Sequence, residues 1–506
     1  MEENKHSITE EEDCTTYNHV IKYTGIFGGV QGITMLMGLV RNKLVALLLG
    51  TSGAALINIF NSSLKLTNDS TNFGIPFSAV KHIAEIHETG DMEAVRQYAR
   101  VVRTWTLCTG LVGMLIMMLL SAEISRWTFG DTGNAGNFML LAPAVAFLSV
   151  SAGELSILKG TKKLKNVAVA SVYSSIAAVA LCIPIYYYIG LSGIVYSLLA
   201  TTLSVMCIQL YFCNKVIPWR VSPFQKDTYS LGAPMVKLGL GYIIAGVFGQ
   251  GAEYIIRVLI LNWGCLEDVG LYHSGYVMAV TYASMVFIAI EADYFPRLSS
   301  IKHDTTRQNA TVNQQIEVCA LLISPILILF VVAMPLIVVV LFSNKFMDAV
   351  PMAICASFYM YFKALTLPAA YLSLAHGDSK IYMLTELIYD IYIASVIPLS
   401  YRYFGLVGTG LALSSAGLLD AVIIHTLYRK LYSFRFCTRL GRFYVIQFVL
   451  LTASVIISFT TDGAERYVIG AMILLVSLLM SLRILRRDTN IVSQLTAKIK
   501  EKLRKK

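Results

Sequence analysis

The sequence predicts an all-α polytopic membrane protein with about fourteen transmembrane helices: two parallel, pseudo-symmetric six-helix bundles plus two extra C-terminal helices. Three observations predict it. Of the 506 residues, 56% are hydrophobic and only 14% charged, with a mean hydropathy of +0.64; a soluble domain carries about 25% charged residues. Apolar runs long enough to cross a bilayer follow one another along the whole chain. The chain also repeats itself at a spacing of roughly 215 residues, as transporters often do.

Taken in order, the elements are these. Residues 1–21 form an acidic segment (Glu2, Glu3, Glu10, Glu11, Glu12, Asp13), the opposite of a cleavable signal's basic start. A membrane helix needs roughly 20 apolar residues. That criterion gives spans at 22–49, 54–78, 102–121, 136–157, 166–188, 191–213, 233–262, 269–293, 316–342, 350–374, 381–401, 405–428, 441–460 and 466–485. Residues 22–217 are the N-terminal bundle, 218–232 a linker, 233–430 the C-terminal bundle and 441–485 the extra pair. A basic tail, 486–506, closes the chain. The nine cysteines stand singly, with no metal-type or redox pairing, and are expected to be reduced.

The net charge of +10 sits in the gaps between apolar runs, which suits an anionic leaflet and excludes a nucleic-acid patch. Every second gap is basic. Lys81, Arg96, Arg100, Arg103, Lys159, Lys162, Lys163, Lys165, Lys215, Arg220 and Lys226 fall on one side of the membrane; Arg126, Lys345, Arg402 and Arg466 fall on the other. The positive-inside rule then places both termini in the cytoplasm.

The clearest repeat joins "ILKGTKKLKN" (157–166) to "LAHGDSKIYM" (374–383), matching Gly160 with Gly377. "YYYIGLSGIVYSLLA" (186–200) matches "YRYFGLVGTGLALSS" (401–415), so that Gly190-Leu-x-Gly193 aligns with Gly405-Leu-x-Gly408. "WTFGDTG" (127–133) pairs with "VLFSNKF" (340–346), and Lys22 with Lys237. The first and seventh spans are glycine-rich (Gly25, Gly28, Gly29, Gly32; Gly239, Gly241, Gly246, Gly249, Gly251), which suits close helix packing or bending during gating.

The second span carries the chemistry. Asn58, Asn61, Ser62, Lys65, Asn68, Asp69 and Asn72 recur at helical spacing and form one polar face. Lipid would penalise that face, so it lines a cavity or a buried contact. Lys65 and Asp69, one turn apart, are a salt bridge or a substrate or ion site. Arg41, Lys363 and Arg257 are further cations within spans; Glu253 stands one turn from Arg257 and is expected to pair with it. Acids within spans are Glu154, Glu291, Asp293, Glu386, Asp390 and Asp420. Arg and Lys in a low-dielectric cavity suit a phosphate or pyrophosphate, and the asparagines suit a sugar. No Walker A loop, HExxH or GxSxG is present, and no enzyme activity, cofactor or metal is expected.

"LVRNKLVALLLGTSGAALINIFNS" (39–62), "STNFGIPFSAVKHIAE" (70–85) and the basic glycine loops resemble the multidrug/oligosaccharidyl-lipid/polysaccharide exporter (MOP) superfamily. Within it they look like the O-antigen or capsular-polysaccharide flippases, particularly those of Bacteroidetes-type bacteria; the resemblance covers about residues 20–485. It implies an inner-membrane protein that moves an undecaprenyl-pyrophosphate-linked repeat unit to the periplasmic leaflet by alternating access, driven by an H⁺ or Na⁺ gradient. Membrane lipids surround such a protein, and a polysaccharide polymerase and glycosyltransferases are its partners. By residue type, Arg41, Lys65 and Lys363 match the cations that hold pyrophosphate, with Asn61, Asn68, Asn72 and Arg257 beside them, and Asp69 and Glu154 are the ion-coupling candidates. A multidrug exporter of the same fold, a lipid II flippase and, in another class, a membrane polysaccharide polymerase or ligase are the alternatives.

Overall fold

Apolar runs in a bilayer must satisfy their backbone internally, and helices do so. The structure is a computed structural model that describes residues 32–222, 226–284, 304–461 and 463–488, together with 287, 294, 297–299 and 301. The acidic N-terminal segment, Lys22, Gly25, Gly28, Gly29, Glu291, Asp293 and the basic tail beyond Asp488 lie outside the described residues. Helix dominates the described residues and no strand occurs among them. Within the described residues the expected spans fall on helices, but 54–78 is not a single one: left-handed backbone at Phe73 and Gly74 divides it into two helices.

Helix α1 (32–48) turns at Leu49 into α2 (Gly50–Thr71). α2 stops where Phe73 and Gly74 take φ of 50° and 64°, and Pro76 then opens α3 (Ile75–Glu88). Asp91 caps α4 (Met92–Leu119) by accepting the N–H groups of Glu93 and Ala94 at 3.0 Å. Next come α5 (Ser121–Phe129), α6 (Ala135–Gly160), α7 (Leu164–Ile189), α8 (Gly193–Asn214) and the long α9 (Lys226–Trp263). α10 (Leu266–Tyr276) runs into a π-type turn at Val277–Tyr282. Asp304 caps α11 (Thr305–Leu341) through the Arg307 N–H, and α12 (Val350–His376) comes next. α13 (Ser379–Ile423) is two helices joined at Gly405; α14 (Thr438–Thr460) and α15 (Ala464–Asp488) complete the chain.

Eight described segments are long and apolar enough to cross a membrane, and two of them, Leu164–Asn214 and Lys380–Leu431, contain a pair of helices each. α2 is not among the eight, because polar side chains interrupt its 22 residues.

The chain divides into two compact units at Asn262/Trp263. In the first, α4 lies close against α6. A Cβ at Gly153 would meet Thr106 at 2.7 Å, and one at Gly110 would meet Ala146 and Ser149 at 3.0–3.3 Å. Ser149 Oγ donates to the Thr106 carbonyl at 2.8 Å across this contact. Close packing through small residues is the usual device where lipid offers no hydrophobic drive. Three of the lead-helix glycines do not use it: a Cβ on Gly32 or Gly246 meets nothing within 4 Å, and one on Gly251 only grazes Leu66. At the basic-loop end Ile75, Ile83, Val95, Val102, Ile157 and Met235 form a sealed core.

In the second unit the corresponding core comprises Tyr294, Leu298, Val312, Ile316, Tyr428 and Phe434, with Tyr294 Oη donating to the Pro368 carbonyl at 2.8 Å. The extra helices α14 and α15 are joined by a buried polar clasp. Ser477 Oγ donates to Gln447 Oε1 at 2.7 Å and Gln447 Nε2 returns a bond to the Ser477 carbonyl at 3.3 Å. α15 docks on α11 where Gly470 sits under Val332. Outward faces carry exposed Leu111, Leu115 and Leu119 on α4 and Leu475 and Leu479 on α15, surface that only lipid would cover.

The duplication is visible in backbone angles. Gly190 has φ 64° and ψ −139°; Gly405 has φ 61° and ψ −151°. Gly193 lies against Ile185 and Ile189, and Gly408 against Ser400 and Phe404, each pair 215 residues apart. The Gly160–Gly377 match, however, is out of register by two. Gly377 takes a left-handed φ of 81° as a helix cap, and in the first half Lys162, at φ 55°, occupies that conformation. Gly160 instead lets α6 approach Ile83 of α3. Lys162 Nζ donates to Glu88 Oε1 at 2.9 Å, and this contact holds the Glu88 carboxyl below its ordinary value.

Candidate functional site

α2 presents its polar face as its spacing requires, yet the side chains divide in behaviour. Asn58 Nδ2 donates to the Ala54 carbonyl, Ser62 Oγ to Asn58, Ser63 Oγ to Ile59 and Thr67 Oγ1 to Ser63, all at 2.7–3.0 Å. Such back-bonding satisfies a hydroxyl or amide locally and leaves little for a ligand. Toward the C-terminal end, Asp69 Oδ1 accepts from Asn68 Nδ2 at 3.1 Å and from Asn72 Nδ2 at 3.3 Å. Asn72 Oδ1 in turn accepts the Gly74 N–H at 2.8 Å, which stabilises the left-handed turn that ends the helix. Asn68 Oδ1 is buried with no partner among the described residues.

Lys65 is exposed, in the C-terminal half of α2 and within the expected second span. It feels the Asp69 charge without closing an ion pair within 4 Å among the described residues, and neither it nor Asn61 donates or accepts a hydrogen bond there. An ammonium and an amide one turn apart with their bonding capacity unspent form the most ligand-ready surface on α2.

The other candidates are placed as follows. Arg41, on α1, enters a narrow crevice lined by Leu44 and, from α7, Val179, Cys182, Ile183 and Tyr186; no α2 residue lines it. Arg257 is nearly buried and closes on Glu253, with Nη2 to Oε2 at 3.0 Å and Nη1 to the Glu253 carbonyl at 2.9 Å. Glu154, on α6, forms a two-pronged ion pair with Arg103 of α4, Nε–Oε1 at 2.7 Å and Nη2–Oε2 at 2.9 Å, at 1% and 2% side-chain exposure. Arg103 also donates to the carbonyls of Pro218 (2.7 Å) and Ile217 (3.0 Å) and to Cys213 Sγ (3.5 Å).

In the second unit Lys363 of α12 donates to Asp420 Oδ2 at 3.1 Å, the two being 21% and 15% exposed. Its ammonium stands 5.2 Å from the Tyr389 ring and 5.9 Å from the Tyr359 ring, and Tyr389 Oη donates to Tyr359 Oη at 2.9 Å. Glu386 is close enough for its charge to act on both Lys363 and Asp420. One carboxylate is therefore bonded to the ammonium inside the helix bundle, and a second lies within range of its charge.

Sequence reading reached Lys363, Asp420 and Glu386 as separate charges but not as a cluster, because they come together only when α12 packs against α13. It missed the role of Arg103 altogether, since a basic residue at a span's edge reads as a loop cation. Conversely, nothing in local spacing ties Glu154 to a residue 51 positions away.

A family model described as "Polysaccharide biosynthesis protein" matches residues 84–351. Among solved structures, the lipid II flippase MurJ in an inward closed conformation is similar at TM-score 0.68 and 14% identity, over 91% of this chain and 99% of that one. An inward-facing multidrug resistance MATE family transporter of the MOP superfamily is similar at TM-score 0.66 and 14% identity, over 81% and 96%. A MOP superfamily transporter from Pyrococcus furiosus, described as having a binding pocket of reverse polarity, is similar at TM-score 0.56 and 14% identity, over 81% and 94%. No curated protein sequence matches the chain.

Proposed function

We propose that this chain, which belongs to the polysaccharide biosynthesis protein family and has the fold of the MOP superfamily transporters, is a flippase for lipid-linked oligosaccharide. The cargo we assign is an undecaprenyl-pyrophosphate-linked O-antigen or capsular repeat unit, moved from the cytoplasmic to the periplasmic leaflet of a bacterial inner membrane. Both termini are then cytoplasmic, and the halves 22–217 and 233–430 act as the two bundles of an alternating-access carrier.

The observation that carries the reading is Lys65: an exposed ammonium, unpaired among the described residues, within the expected second span, on a helix whose neighbouring turns offer the uncommitted amide of Asn61 and the partnerless Oδ1 of Asn68. An isolated charge at that depth is costly unless it serves a ligand or an aqueous path. Pyrophosphate supplies the counter-charge and sugar hydroxyls supply partners for the amides. Arg41 is a second cation for the same ligand; Lys363 acts through Asp420. For coupling to an H⁺ or Na⁺ gradient, Asp69 and the Asp420–Glu386 pair support the role better than Glu154, whose oxygens are already committed to Arg103.

Leaflet transfer of an undecaprenyl-pyrophosphate oligosaccharide in proteoliposomes tests this. Wild type transfers, and Lys65→Ala falls at least tenfold while remaining monodisperse. Transfer of lipid II alone would change the cargo. Extrusion of cationic dyes along an ion gradient without lipid transfer would replace the flippase with a multidrug exporter.

A further inference from the structure

Arg96, Arg100 and Arg103 lie on the first turns of α4, and they do different things. Arg103 points inward and ties down Ile217 and Pro218, the chain that leads out of α8. Two further bonds from the same turn fasten the connection to α9: Ser222 N–H donates to Thr104 Oγ1 at 3.0 Å, and Trp105 Nε1 donates to the Thr228 carbonyl at 3.0 Å. Because Ile217, Pro218, Ser222 and Thr228 are held in this way, Arg220 is brought over the outer face of α4, where Arg96 and Arg100 stand one turn apart.

The result is a cavity of about 170 Å³ lined by Glu93, Arg96, Arg100, Ile217, Pro218 and Arg220. At about 30 Å³ per water it has room for some five water molecules, or for a phosphate group. Its charges do not cancel. Glu93 is shared, its Oε2 3.2 Å from Arg96 Nη1 and its Oε1 3.7 Å from Arg100 Nη2. Arg220 has no ion pair among the described residues. Three guanidinium groups facing one carboxylate leave a net charge of about +2, and Arg96 and Arg100 repel each other across one helical turn. An oxyanion bound between them relieves that repulsion and takes the forked bonds guanidinium groups offer.

The depth of the cavity narrows the ligand. Arg96 and Arg100 precede the apolar span of α4, and the neighbouring Trp219 is exposed, as tryptophans at headgroup level are. We propose that this pocket between α4 and residues 217–220 is a binding site for the phosphate of an anionic membrane lipid headgroup. It is separate from the α2 face and independent of what the protein transports. An occupied site clips the segment joining α8 to α9 onto α4 from outside, as Arg103 does from within.

The test uses the full-length protein in zwitterionic nanodiscs and in detergent. Retention of phosphatidylglycerol is read by native mass spectrometry, and the thermal midpoint is read with added phosphatidylglycerol, phosphatidylcholine or inorganic pyrophosphate. Wild type retains phosphatidylglycerol and is stabilised by it but not by phosphatidylcholine. The combined Arg96→Gln, Arg100→Gln, Arg220→Gln variant loses retention at least tenfold; Arg220→Gln alone loses several-fold, and Arg220→Lys recovers part. Lys430→Gln with Arg435→Gln, which removes basic character elsewhere, leaves retention unchanged. Stabilisation by pyrophosphate but not by the lipid, lost in the combined variant, would overturn the lipid assignment and give the pocket to a soluble phosphate. Retention within twofold of wild type in the combined variant, or an equal loss in the Lys430/Arg435 control, would overturn the proposal.

Discussion

Replacing Glu154 by Gln leaves the shape of α6 unchanged but removes the negative charge that Arg103 faces. Two bonds between opposite charges, at 2.7 and 2.9 Å, become at best one bond from the guanidinium to an uncharged amide oxygen. Each charged bond contributes about 1.5–3 kcal/mol, and removing one partner of a buried ion pair costs about 3–5 kcal/mol. The two figures agree, so Glu154→Gln should destabilise the protein by about 3–5 kcal/mol. Arg103→Leu should cost at least as much, since it also strips the Ile217 and Pro218 carbonyls of their donor. The double variant Arg103→Leu, Glu154→Leu should be less damaged than Arg103→Leu alone, because no buried charge remains. Reversible denaturation in mixed micelles reads all three. A loss below about 1 kcal/mol for Glu154→Gln would refute the argument that the pair is structural. If that variant stayed stable and only gradient-driven transport disappeared, Glu154 would be an ion-coupling residue after all.

Other perturbations separate packing from motion. Gly190→Ala and Gly405→Ala each force a side chain into positive φ with extended ψ, so each should lose about 1–3 kcal/mol in the same denaturation assay, and by similar amounts. Gly153→Ala pushes a methyl group to within 2.7 Å of Thr106 and should cost about 1–3 kcal/mol. Gly246→Ala meets nothing within 4 Å and should leave stability equal or up to about 1 kcal/mol higher; slower leaflet transfer at unchanged stability would identify bending of α9 as its purpose. Lys363→Met should lower transfer by leaving Asp420 without its partner, and adding Asp420→Asn should restore part of it; no restoration would mean that Lys363 touches the cargo itself.

How much of the fold is legible in the sequence depends on the range of the interactions involved. Helices in lipid are local objects: length, apolar content and loop charge decide them, which is why the expected spans fall on helices. The Gly190 and Gly405 turns were readable for the same reason, since a tight outer turn needs a residue free to take positive φ. Gly160 and Gly377 misled because two glycines can be kept for different causes, one for backbone conformation and one for room beside Ile83. Composition likewise marks only where close packing is possible: a Cβ on Gly32 or Gly246 has no neighbour within 4 Å, whereas α4 and α6 supply the neighbour that makes it real. The polar stripe on α2 was legible as a face, but the structure divides it into side chains bonded to their own helix and the few, Asn61 and Lys65 foremost, that are not. That division depends on rotamers and neighbours, not on spacing. Long-range pairs were least legible of all. Arg103 with Glu154, 51 residues apart, and Lys363 with Asp420, 57 apart, are set by which helices become neighbours. An intramembrane charge is therefore only half described by its own position, and its function is decided by whether the fold has already supplied the other half. Glu154 and Arg257 have theirs. Among the described residues Lys65 does not, and that is why the experiment should begin there.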